Sequence, residues 1–158
     1  MSRNRGFTLI EVLVVIGIIS VLAGVVLVAL NPGRQFAQAR NSQRTSNVTT
    51  ILNAIGQRVA DNKGVFEGEW DYDGHTYNCP EIEEGTTWDI SNGGTSVDLS
   101  CLTPTYIPSQ LPVDPSGGEA HWDDADDYFT GYTVRANAGR YTVSAPEAEL
   151  GEEISVTR

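Results

Sequence analysis

Apolar and polar positions follow four different patterns along the chain. From Val12 to Leu30 the residues are apolar almost without a break, and Ser20 is the only clearly polar one. Nineteen residues rising about 1.5 Å each as a helix match the hydrocarbon thickness of a bilayer. Farther on, Val48, Ile51, Leu52, Ile55 and Val59 recur at steps of three and four, which predicts one apolar face on a helix over residues 33–60. Next, Phe66, Gly68, Trp70 and Tyr72 alternate with Glu67, Glu69, Asp71 and Asp73, as in a half-buried strand. Alternation returns at Tyr132, Val134 and Ala136, and again at Tyr141, Val143 and Ala145, around an Asn137-Ala138-Gly139 turn, with Ile154 and Val156 as a last short strand.

The segments between these patterns punctuate them. Asn31-Pro32-Gly33 either kinks one long helix or ends the first and opens a second with Pro32 in its first turn. Asp61-Asn62-Lys63-Gly64 ends the second helix. Asp73-Gly74 is a tight-turn pair, and His75–Cys79 returns as its partner strand. Residues 81–104 are rich in Gly, Thr, Ser and Asp and read as a loop or short strands, with Trp88, Ile90, Val97 and Leu99 as anchors. Pro104, Pro108, Pro112 and Pro115 follow in an extended segment. Arg40, Arg44 and Arg58 read as a solvated face of the second helix. Asn47-Val48-Thr49 has the form of a glycosylation sequon, but within a helix it reads as chance.

Charge divides the chain. Residues 1–63 hold seven Lys or Arg and two acids, whereas residues 64–158 hold three and nineteen, for a net charge of −11 overall. The second part is an acidic head, and its charge argues against strong nucleic-acid binding. Arg3 and Arg5 precede the apolar run and no further cation appears until Arg34, so the leader stays cytoplasmic and the head lies outside. Cys79 and Cys101 are the only cysteines. An even count in an extracytoplasmic domain predicts a bridge, and neither cysteine has the near partner that zinc sites use.

Glu11 is anomalous, because an acid one turn into an apolar block is costly unless it lies near the interface or finds a partner. The stretch from Arg3 through Gly6-Phe7-Thr8-Leu9-Ile10-Glu11 and the apolar helix after it resembles the N-terminus of type IV pilins and type II secretion pseudopilins. The resemblance implies cleavage after Gly6 by a prepilin peptidase, methylation of the new N-terminal Phe7, and a role for Glu11 in assembly. Leu111-Pro112-Val113-Asp114-Pro115-Ser116-Gly117-Gly118 resembles a segment of the major pseudopilins. Some of those relatives bind calcium in loops beyond it, where this chain has Asp123, Asp124, Asp126 and Asp127. A solvated acidic loop is the competing reading of these four. Asp71-x-Asp73-Gly74 is not a calcium loop, because Pro80 falls where the closing glutamate belongs.

No catalytic constellation stands out. His75 and His121 have no nucleophile beside them, and neither a phosphate-binding glycine loop nor a zinc signature occurs. The expected protein is therefore a structural, non-enzymatic subunit that needs no cofactor, with calcium as the candidate ion. The expected fold is α+β: a long N-terminal helix, transmembrane in its first half, packs through its second half on a small antiparallel sheet. The expected divisions are a leader over 1–6, an assembly helix over 7–30, a soluble stem over 31–63 and a β-rich head over 64–158. The expected partners are copies of the same chain in a pilus or pseudopilus, the prepilin peptidase, a membrane assembly machine with its cytoplasmic ATPase, and the bilayer of the inner membrane before assembly. The alternative is a membrane-anchored extracytoplasmic binding domain that never polymerises.

Overall fold

The computed structural model describes residues 6–158, apart from the side chains of Val28 and Leu30. Two compact units divide between Ala37 and Gln38. Of the expected leader, Met1–Arg5 lie outside the described residues.

The first unit contains α1, Leu9–Leu30. Thr8 caps it in an extended conformation, and Asn31 ends it in the left-handed region with φ 42°. A second helix, α2 (Pro32–Asp61), begins at once with proline in its first position, where the missing amide is not needed. The sequence left open whether this junction kinks one helix or joins two, and two helices is the outcome. Ser20, the polar residue of α1, donates its hydroxyl to the Ile16 carbonyl at 2.8 Å, so the helix satisfies it internally. The described large apolar side chains of α1 are 47–82% exposed.

In the second unit, residues 38–61 of α2 bury Val48, Ile51, Leu52, Ala54 and Ile55 in a common core with strand residues that include Ile90, Tyr132, Val134 and Val143. The helix stops at Asp61, and Lys63 (φ 56°) and Gly64 (φ 99°) turn the chain back. Strands β1 (Gly68–Tyr72) and β2 (His75–Cys79) form a separate two-stranded sheet. Tyr72 faces His75 across Asp73-Gly74, both with positive φ, as a two-residue hairpin requires. The remaining strands are β3 (Thr87–Ser91), β4 (Ser96–Val97), β5 (His121–Asp124), β6 (Asp127–Asn137), β7 (Arg140–Ala145) and β8 (Ile154–Thr157). They make a sheet in the order β4-β3-β6-β7-β8, and β5 pairs with the start of β6. Pairing is antiparallel except between β3 and β4. The architecture is α+β, a long apolar N-terminal helix followed by a second helix and antiparallel sheets.

Three details sharpen the sequence reading, and for residues 81–104 short strands are the outcome. The first strand begins at Gly68, and Phe66 is fully buried ahead of it. Residues 81–104 contribute β3, which pairs along β6 at the middle of the large sheet. The acidic segment 123–127 is a β-hairpin, with Asp123 and Asp124 on β5 and Asp127 opening β6. A disulfide joins Cys79, at the end of β2, to Cys101 in a 3-10 turn over Ser100–Leu102. It ties the small hairpin to the segment that follows β4.

Candidate functional site

The N-terminal segment is built from the cap of α1. Thr8 Oγ1 accepts the Glu11 amide at 3.4 Å, and a Glu11 carboxylate oxygen accepts the Thr8 amide at 3.4 Å and its hydroxyl at 3.3 Å. This reciprocal pair is a capping box, and it settles two amide groups that the first helical turn leaves open. Glu11 also places negative charge at the positive end of the helix dipole. The carboxylate thus has a partner in its own chain. Gly6 and Phe7 precede the cap outside helix and strand, and both are exposed.

In the second unit the sequence reading of the arginines needs correction. Arg44 is 0% exposed and Arg58 is 3% exposed; only Arg40 keeps a partly solvated side chain. Arg44 forms a two-point pair with Asp114, Nε to Oδ2 at 2.7 Å and Nη2 to Oδ1 at 3.0 Å. Its remaining nitrogen donates to Asn41 Oδ1 and Glu149 Oε2, both at 2.9 Å. Arg40 grips the same Glu149 carboxylate with two bonds of 2.6 Å. Asn41 completes the network: its Oδ1 accepts the Glu149 amide, and its Nδ2 donates to the Glu149 carbonyl. Three distant segments are joined this way, namely α2, the Leu-Pro-x-Asp-Pro segment and the turn after β7.

The electrostatics follow from these contacts. Burial favours the neutral form of Asp114, but hydrogen bonds from Arg44 and Ser116 outweigh it and hold the carboxyl below its ordinary range. Hydrogen bonds from Arg40 and then Arg44 pull the Glu149 pKa down to about 2. The Asp114 carboxylate raises the Arg44 pKa further, keeping it charged although it is buried. Gly131 leaves room for this approach: with φ 76°, a Cβ there would sit 3.0 Å from the Asp114 Cβ. The Asp114 amide also donates to the Thr130 carbonyl at 2.9 Å.

Arg58 does different work. It donates to the carbonyls of Phe66 and Gly68 at 3.2 and 3.1 Å, and its guanidinium lies 4.1 Å above the Trp70 ring. It holds the start of the small hairpin against the end of α2. One signal in the sequence points to both buried arginines: Arg44, Val48, Ile51, Ile55 and Arg58 follow the same steps of four and three. They lie on the apolar stripe itself.

The four aspartates divide between two sets of contacts. Asp124 Oδ1 accepts the Asp126 amide at 2.8 Å. His121, Asp123 and Asp127 do come together, exposed, with ligand atoms within 4.8 Å of one another. His121 Nδ1 contacts the Glu119 carbonyl at 2.6 Å, and Nε2 lies 3.3 Å from Asp127 Oδ1. Two carboxylates and an imidazole fall short of the six to eight oxygen ligands that calcium takes, so the residues fit that ion poorly. Asn47 spends its amide nitrogen on the Val113 carbonyl and the Tyr132 hydroxyl, at 3.0 and 2.9 Å, so the sequon is occupied structurally. His75 is exposed on the β2 side of the Asp73-Gly74 turn.

An exposed apolar helix of bilayer length, opened by a glutamate cap and followed by a folded head, fits a membrane-anchored precursor. Residues 1–27 match the family described as the prokaryotic N-terminal methylation motif, the signature of type IV pilins and pseudopilins. No curated protein and no solved structure matches the chain.

Proposed function

We propose that this chain is the subunit of a type IV pilus or a type II secretion pseudopilus and polymerises through α1. One observation carries the reading: the methylation motif runs into a helix whose apolar surface is left exposed among the described residues. Lipid covers that surface in the precursor. After extraction, the α1 helices of neighbouring copies cover it instead, so polymerisation removes from water what the head cannot hide. The prepilin peptidase cuts after Gly6, and Phe7 becomes the methylated N-terminus. Glu11 then pairs with the freed Phe7 amine of an adjacent copy and sets the axial register, since a charge in apolar surroundings gains most from a close partner. The Leu111–Gly118 segment supports the major pseudopilin branch of this class.

Mass spectrometry of the native product, with electron microscopy of the same preparation, tests the proposal. The expected result is a chain starting at Phe7, one methyl group heavier than its sequence, in filaments. A monomer in the bilayer that retains residues 1–6 would instead establish the anchored, non-polymerising domain.

A further inference from the structure

The longest strand of the large sheet ends in opposite charges. At its start, the β5–β6 hairpin exposes Asp123, Asp124, Asp126 and Asp127. At its far end, Arg135 is exposed on β6 and Arg140 opens β7 across the Asn137-Ala138-Gly139 turn. Eleven residues of strand at about 3.3 Å each separate the two tips by roughly 30 Å.

The distribution of cations makes this polarity specific. Within residues 38–158, Arg40, Arg44 and Arg58 are engaged internally, and the Arg158 guanidinium donates to Asn53. That leaves Lys63, at the end of α2, and the pair Arg135 and Arg140, which form no ion pair among the described residues. The acidic neighbour of this pair is Glu84, whose carboxylate accepts the Gly139 amide at 3.4 Å. An anionic polymer is disfavoured as the ligand of two guanidiniums on a head with nineteen acids, because the remaining charge would repel it. A matching partner is the acidic tip of the same molecule. A contact between two different patches of identical chains builds an open, helical series whenever its rotation does not close a ring, so it is compatible with a filament.

We infer that the β6–β7 tip of one subunit docks on the β5–β6 tip of the next, Arg135 and Arg140 against Asp123 and its neighbours. The inference rests on the polymer reading and adds a second, head-level contact to the one made by α1. Like charges facing across an interface suppress association, so the full-length double variant Arg135→Glu/Arg140→Glu is expected to cut filament yield about tenfold. Asp123→Lys/Asp126→Lys takes the four-acid tip to no net charge, which removes the attraction and should lower the yield too, by a smaller factor. The chain carrying all four changes sets two new lysines against two new glutamates, and its yield should rise to within about threefold of the unaltered chain. Filaments from the unaltered chain, with normal yield from either double variant or no rescue by the fourfold variant, would overturn the docking alone. No filaments from the unaltered chain would overturn the polymer reading and this contact with it.

Discussion

α1 and residues 38–61 of α2 are helices of the same chain with opposite solutions to one problem. The first is apolar all round, and its described side chains are uncovered. The second is apolar along one stripe, and the head buries that stripe from Val48 to Ile55 and half-buries Val59. The charges follow the same division. On α1 the single acid sits in the first turn, where the cap and the helix dipole hold it. On α2 two arginines sit within the buried stripe, because strand carbonyls, an aromatic ring and two carboxylates have been brought to meet them. A helix carries charge in an apolar face only where its own fold supplies the partner, and a helix without such a partner must have its apolar surface covered from outside the chain.

The sharpest way to break the contrast is to remove the internal partner. Arg44→Ala leaves Asp114 buried without its counter-ion and Glu149 with one cation fewer. Breaking one side of a buried pair is expected to cost about 3–5 kcal/mol. Chemical unfolding of the detergent-solubilised full chain, followed by tryptophan fluorescence from Trp70, Trp88 and Trp122, measures it. The helicity of α1 should survive, since none of its bonds depends on Arg44. An unfolding free energy within about 1 kcal/mol of the unaltered chain, as for an ordinary surface substitution, would show that the network does not hold the head.

Acid probes the same network more gently. Glu149 has an ordinary pKa of 4.5 and sits at about 2 in the fold, and Asp114 is also lowered from 3.8. Both are lower when folded than when unfolded, so their stabilisation is complete above about pH 4.5 and is lost as the pH falls toward 2. The thermal midpoint of the head should decline over that window. Glu149→Gln should flatten the decline while lowering the midpoint at neutral pH. An unchanged slope in that variant would assign the acid sensitivity elsewhere.

Local rules made much of this fold legible. Periodicity located the apolar helix, the stem face and the last three strands, and the Asp73-Gly74 turn pair located the small hairpin. The bridge between Cys79 and Cys101 followed from the even cysteine count together with the extracytoplasmic reading. What stayed hidden depends on partners far along the chain. Trp88 and Ile90 lie among Gly, Thr and Ser, and only pairing with β6 more than forty residues later makes them a strand. Arg44 looked solvated because its partner, Asp114, is 70 residues away. The steps of four and three through Arg44 and Arg58 were present in the sequence, but a charge on an apolar stripe has meaning only once a carboxylate or a carbonyl is known to face it. The aspartates of 123–127 crowd one short stretch, and the hairpin sorts them: Asp123 and Asp127 meet His121, whereas Asp124 accepts the Asp126 amide.

The smallest expected effect sharpens the comparison from the α1 side. Thr8→Ala removes the hydroxyl that accepts the Glu11 amide, and losing an N-cap of this kind costs about 1 kcal/mol. The cost is several times smaller than for Arg44 for two reasons. The cap bonds are long, at 3.3–3.4 Å, and the group they satisfy is exposed at a helix end, where water or lipid headgroups replace it. The damage should stay within the first turn: amide exchange of the full chain in micelles should speed up at Leu9–Val12 and remain unchanged beyond Ile16. Thr8→Ser, which keeps the hydroxyl, should behave like the unaltered chain. If Thr8→Ala loosened the whole of α1, the helix would owe its order to its cap and not to the apolar surroundings that cover its length. The contrast with α2 would then be one of local capping instead of covering surface.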